Sequence, residues 1–174
     1  MHYAPPMAEA VTAMTRDLWS GPGDGQHIWF LGSLVTIKVS GDAVDGRCAM
    51  LEFLMPRDVS PPRHYHQSDE LFIMLEGELT FVAGDQRFTA ERGSDWVVPG
   101  GVPHTFRVES DTARLVAVYA PAGLMEDCFR KAGLPAATPS LPPPDAPARP
   151  MEVIEEVMRT HDHHNVGPPL GPGD

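Results

Sequence analysis

The sequence predicts an all-β domain, a sandwich or a closed barrel, and three observations predict it. Short apolar runs recur between residues 25 and 120, among them "HIWFLGSLVTIKV", "ELFIMLEGELTFVAG" and "ARLVAVYA". Turn-forming stretches such as "SGDAVDG", "LEGE", "AGDQ" and "RGSD" separate these runs at the spacing of short strands. Strand-like and helix-like segments do not alternate, which argues against a parallel α/β sheet.

The elements fall into three zones. Residues 1–24 form an N-terminal arm in which Met7, Val11, Met14 and Leu18 share helical spacing before "SGPGDG" ends the pattern. Residues 25–133 carry the β region and then "AGLMEDCFRKAG", a short helix closed by Gly133. Residues 134–174 begin with "LPAATPSLPPPDAPARP", too rich in proline for regular structure and expected to run extended. A second helix, "MEVIEEVMRT", follows with Val153, Ile154, Val157 and Met158 on one side, ready to dock back on the domain. The run "HDHH" at its end (161–164) reads as solvated, its cationic form suited to the helix dipole.

The totals narrow the class. A chain of 174 residues suits one domain with a real core. Its 19 prolines and 16 glycines fit frequent turns better than long helices. A net charge of -11 repels phosphate backbones and anionic lipid, so neither nucleic acid nor a membrane is an expected partner. Cys48 and Cys128 stand far apart outside any CxxC pattern and read as buried or half-buried thiols of a reducing compartment. The first twenty residues lack a basic start followed by an apolar run, and "LVAVYAPAGLM" (115–125) is too short to span a bilayer. A cytoplasmic protein is the expectation.

The chemistry concentrates in "RHYHQSDE" (63–70). In extended chain His64 and His66 point to one face, and a turn at "QSD" returns Glu70 to it. Far downstream, His104 follows "VPGGVP" at the start of another strand. Imidazoles with one carboxylate suit Fe(II), Mn(II), Co(II), Ni(II) or Zn(II). An isolated HxH is usually a surface feature; the second segment makes the difference.

Together the two segments resemble the motifs of the cupin family. "HYHQSDELFIMLEG" is similar to the first, HxHxxxE followed after six residues by glycine, here Gly77. "GSDWVVPGGVPH" is similar to the second, with Gly93, Pro99, Gly101 and His104 at its spacing. Two positions depart from the pattern: Asp58 stands where a glycine is usual and Val108 where an asparagine often ends the second motif. The resemblance implies a double-stranded β-helix, or jelly-roll barrel, with short N-terminal and C-terminal helices. It implies one divalent transition metal ion held by His64, His66, Glu70 and His104. Segments such as "WFLGSLVTIKVSGDAVDG" and "YAPAGLMEDCFRKAG" look like single-domain cupins related to quercetin 2,3-dioxygenase.

The activity implied by the resemblance is that of a metal-dependent dioxygenase acting with O2 on a flavonol-like or other enolic aromatic small molecule. Glu70 would accept the substrate's proton. Phe72 and Met74, in alternation with Glu70, and Phe106, in alternation with His104, are candidate pocket walls or barrel core. Tyr65 should point outward, and Trp29 and Trp96 should pack. A metal-dependent polyketide cyclase or isomerase, and a non-enzymatic ligand-binding cupin, stay open as alternatives. A homodimer is the expected assembly.

Overall fold

Period-two burial runs through the central strands of the computed structural model, which describes residues 19–174. Strand β5 (Asp69–Glu76) turns Glu70, Phe72 and Met74 inward and leaves Leu71 and Ile73 outside. Its neighbour β10 (Thr112–Ala120) buries Ala113, Leu115, Ala117 and Tyr119. Burying one face of each strand removes apolar area from water and fixes register, since a one-residue slip would expose the whole inward set.

The remaining strands are β1 (Gln26–Phe30), β2 (Ser33–Val39), β3 (Ala49–Pro56), β4 (Arg63–Tyr65), β6 (Glu78–Ala83) and β7 (Gln86–Glu91). They continue with β8 (Asp95–Val98), β9 (His104–Val108), β11 (Leu134–Pro135) and β12 (His164–Gly167). They form two antiparallel sheets, ordered β11-β1-β2-β3-β10-β5-β8 and β12-β4-β9-β6-β7. This is an all-β jelly roll with two short α-helices, α1 (Met125–Ala132) and α2 (Met151–Thr160). The expected N-terminal helix with Met7, Val11, Met14 and Leu18 lies outside the described residues.

Aromatic rings fill the space between the sheets at one end. Phe81 lies 5.4 Å from Phe72 and 5.1 Å from Trp96, both edge-on. Trp96 stacks on Phe72 at 4.9 Å, directly opposite it in register, and so packs as expected. At the other end Phe129 of α1 meets Phe30 and Phe53 edge-on at 5.2 and 5.5 Å.

The tail is integrated into both sheets. Pro135 and Leu134 pair with Ile28 and Trp29 of β1, and β12 pairs with β4. Between them residues 136–150 run without regular structure, as their prolines dictate. Helix α2 buries Ile154, while Val153 stays exposed and Val157 and Met158 are half-buried.

One of the two positions that depart from the cupin pattern is accounted for by backbone geometry. Asp58 adopts a left-handed φ of 70°, a conformation that aspartate tolerates better than most residues. Its N–H donates to the carbonyl of Val108 at 3.1 Å, so the two departures touch each other. Gly77, between β5 and β6, has φ 81°, and a Cβ there would collide with the backbone carbonyl of Thr112. Gly77→Ala should therefore cost about 1–3 kcal/mol, read as a lower urea midpoint at unchanged m-value.

Candidate metal centre

The site is built by register. β4 and β9 pair with His64 directly opposite His104, so one ladder brings together two histidines 40 positions apart in "RHYHQSDE" and "VPH". His66 follows one pleat beyond His64. Glu70 arrives from the facing sheet, as the first inward residue of β5. Backbone clips hold the intervening turns: Gly101 N donates to His66 O at 2.7 Å, and Gly100 N donates to Asp69 Oδ1 at 2.8 Å. Asp69 thus ties the two motif loops together.

All four side chains are buried, between 3 % and 7 % exposed. The donor atoms of His64, His66 and His104 lie within 4.8 Å of one another. Glu70 Oε2 lies 3.0 Å from both His66 Nε2 and His104 Nε2. Yet among the described residues His66 Nε2 and Glu70 Oε2 have no partner in hydrogen-bonding geometry. The three histidines form the group of mutually close donor atoms, and Glu70 stands beside two of them without belonging to it.

The outer hydrogen bonds fit a metal. His64 Nδ1 lies 2.8 Å from Pro62 O, and His104 Nδ1 lies 2.9 Å from Val102 O. A carbonyl can only accept, so each Nδ1 carries the proton and directs Nε2 inward as a lone-pair donor. Orientation of a ligating imidazole by a carbonyl behind it is the usual arrangement at metal sites. Three convergent buried imidazoles, unpartnered inner atoms and one carboxylate fit a divalent transition metal ion.

Charge is distributed unevenly over the cluster. Burial pushes the Glu70 carboxyl upward, but His104 and His66 outweigh it and hold the group below the usual carboxylate range. Burial lowers His66, and the Glu70 carboxylate more than offsets this, so His66 titrates above its ordinary value. His64 is lowered well below its ordinary value by burial, then by His163 and His104. Burial, followed by the Glu70 charge, pushes Tyr119 well above the normal phenol range.

A cavity of about 460 Å³ opens onto His64, Glu70 and His104. Phe30, Phe53, Phe72, Phe106, Tyr119 and Phe129 are among its walls. Of the expected pocket residues, Phe72 and Phe106 line it, whereas Met74, 1 % exposed, belongs to the core and is absent from the lining. The fourth wall comes from the tail, through Ile154, Met158, His163 and Asn165.

The solvated reading of "HDHH" is corrected here. His161 and His163 are buried, and His163 stacks on His64 with ring centroids 4.0 Å apart. Burial lowers His163 to about 4, with His66 the next cause. The reason for the correction is tertiary: β12 adds to the sheet beside β4, which carries this segment over the barrel mouth. A polar four-residue run at a helix end carries no signal of that pairing. Tyr65 faces outward as expected and stacks on His164 at 4.9 Å.

Two outcomes test the site. His66→Ala should lose the metal on elemental analysis, whereas His163→Ala, outside the donor cluster, should keep it. In chelator-treated protein, His64 and His163 have depressed folded values, so the unfolded chain takes up protons first as the solution is acidified. The contribution of His163 is intact above about pH 6.5 and is lost as pH falls toward 4, and that of His64 is lost in the same direction. The raised value of His66 works in the opposite direction and partly offsets this loss. The urea midpoint should drop across that interval, and less so in His163→Phe.

Residues 50–119 match the family described as Cupin domain. Quercetin 2,3-dioxygenase of Bacillus subtilis (strain 168) is 29 % identical over 114 residues, covering 65 % of this chain and 34 % of that protein. The match thus spans about a third of the length of that curated relative. An RmlC-like cupin from Shewanella frigidimarina NCIMB 400 superposes with a TM-score of 0.52 at 14 % identity, covering 62 % of this chain and 93 % of that one. Oxalate decarboxylase from Bacillus subtilis gives a TM-score of 0.50 at 18 % identity, covering 57 % of this chain and 28 % of the other. These likenesses support the fold. With two motif segments folded onto one buried His and Glu cluster inside a jelly roll, residues 50–119 match a cupin domain and the chain resembles quercetin 2,3-dioxygenase-like proteins.

Proposed function

We propose that the protein is a metal-dependent dioxygenase acting on a flavonol-like or related enolic aromatic molecule. The observation that carries this reading is a cavity walled by aromatic rings that reaches His64 and His104 of a buried three-histidine cluster, with Glu70 beside it. Its volume suits a small molecule of several fused or linked rings. The partial relationship to quercetin 2,3-dioxygenase supports the same class.

His64, His66 and His104, with Glu70, would hold the divalent ion. When bound, that ion supplies Lewis-acid polarisation of a substrate hydroxyl or carbonyl oxygen. The chain's own residues do the rest. Phe72 and Phe106 hold the ring system and exclude water from it. Glu70 Oε2 takes the proton of the enolic hydroxyl. Its low basicity depends on N–H groups at His66 Nε2 and His104 Nε2, and an imidazole cannot donate from the nitrogen it offers as a ligand. Neutral histidines therefore free the carboxylate to act as a base.

The reading includes O2 as co-substrate and a cytoplasmic homodimer. The outward apolar row of Leu71, Ile73 and Val97 on β5 and the edge strand β8 supports association with a second copy. No helix among the described residues is long and apolar enough to cross a membrane.

Metal-loaded protein mixed with quercetin should consume O2 and release carbon monoxide. Glu70→Gln should slow turnover by about 10²- to 10⁴-fold, corrected for metal content. Undiminished turnover in anaerobic buffer would exclude the dioxygenase in favour of a cyclase or isomerase. Quercetin bound for hours and recovered intact would point to a binding module.

A further inference from the structure

Strands β10 and β5 pair with Tyr119 directly opposite Glu70. Both side chains point inward, each 3 % exposed, and both line the aromatic cavity. Directly opposed residues of an antiparallel ladder hold their Cβ atoms about 5 Å apart, so the two side chains rise side by side. The row continues to Ala49 on β3 and Val98 on β8, both apolar and buried. Glu70 is therefore the polar neighbour that this row offers to a phenol.

The hydroxyl uses it. A side-chain hydrogen bond joins Tyr119 to the Glu70 carboxylate. An ionised carboxylate only accepts, so the phenol is the donor. Burial, followed by the Glu70 charge, keeps that phenol protonated. Among the described residues, Glu70 Oε2 is closed off without a partner, whereas neither Oε1 nor the Tyr119 hydroxyl is in that state. The ring lies beside His66 with centroids 5.7 Å apart. Phe30, Phe53, Phe72, Phe106 and Phe129 wall the same cavity without a hydroxyl, so packing accounts for the ring of Tyr119 and not for its oxygen.

We propose that Tyr119 is the positioning residue for Glu70: its hydroxyl donates to Oε1 and so turns Oε2 toward His66 and His104. The terminal torsion of a glutamate is soft, and a carboxylate without such an anchor rotates. Here Oε2 stands 3.0 Å from Nε2 of both histidines. Hydrogen bonds from behind hold ligating carboxylates in this way at metal sites. The inference rests on reading the cluster as a metal centre; it does not depend on O2, on a flavonol or on turnover.

The test follows Co(II). Chelator-treated parent protein, Tyr119→Phe, Glu70→Gln and the double variant are titrated with Co(II), and affinity and visible absorption are recorded. Phenylalanine keeps the ring beside His66 and removes only the hydroxyl. The expected result in Tyr119→Phe is about tenfold weaker Co(II) binding with displaced visible bands, and no further change when it is added to Glu70→Gln. Unchanged affinity and bands in Tyr119→Phe overturn the proposal. An equal loss in the Glu70→Gln background also overturns it, because the hydroxyl would then act by another route. Weaker binding with unchanged bands and a lowered urea midpoint assigns Tyr119 to packing alone and overturns it as well. If Tyr119→Phe does not fold, 3-fluorotyrosine at position 119 takes its place, keeping the hydroxyl but changing its donor strength. It should displace the bands in the parent background and not in Glu70→Gln; bands that stay put overturn the proposal. Parent protein that takes up no Co(II) removes the metal reading and this inference with it, whereas Co(II) uptake with any other overturning result removes the inference alone.

Discussion

A carboxylate and three imidazoles meet inside an apolar barrel, and much of the molecule is arranged to make that tolerable. An isolated buried charge costs several kcal/mol even after the surrounding protein relaxes. Glu70 is 3 % exposed, and its Oε2 lies 3.0 Å from two histidine nitrogens without a hydrogen-bond partner, so compensation would come from a cation that all of them hold. The compensation requires strands from both sheets at fixed register, His64 opposite His104 on one side and Glu70 inward on the other. Gly100 and Gly101, Asp69, and the carbonyls of Pro62 and Val102 set the turns and ring orientations that keep it so. The same cluster is a poor stability device and a good ion site: its inner atoms converge without pairing well.

The cavity divides its work by surface type. One end is polar and able to hold charge; the flanks are phenylalanines from β1, β3, β5, β9 and α1. Such a shape binds flat apolar bodies by area and orients them by a few polar contacts.

The tail changes what counts as the barrel. β11 and β12 each add an edge strand to one of the two sheets, and α2, between them in the chain, lines the cavity. Lys131, Gln67 and Tyr65 each hold one residue of the "HDHH" run, so the segment is fastened next to the metal-ligand turn and to α1.

Alternation of apolar residues was enough to establish the β class, because burying one face of a strand leaves a period of two in any sequence. The buried cluster was legible too: His64, His66 and Glu70 sit within one short stretch of chain, and His104 is marked by the glycines and proline that its turn needs. Phe72 and Phe106 could be assigned inward by the same alternation. Alternation could not separate them from Met74, since wall and core share a face and differ only in what lies opposite. The inward turn of His163 was decided by the tertiary structure alone. It depends on β12 pairing with β4 and on clips to residues 30 and 95 positions away, and such distant partners leave no periodic trace in the chain.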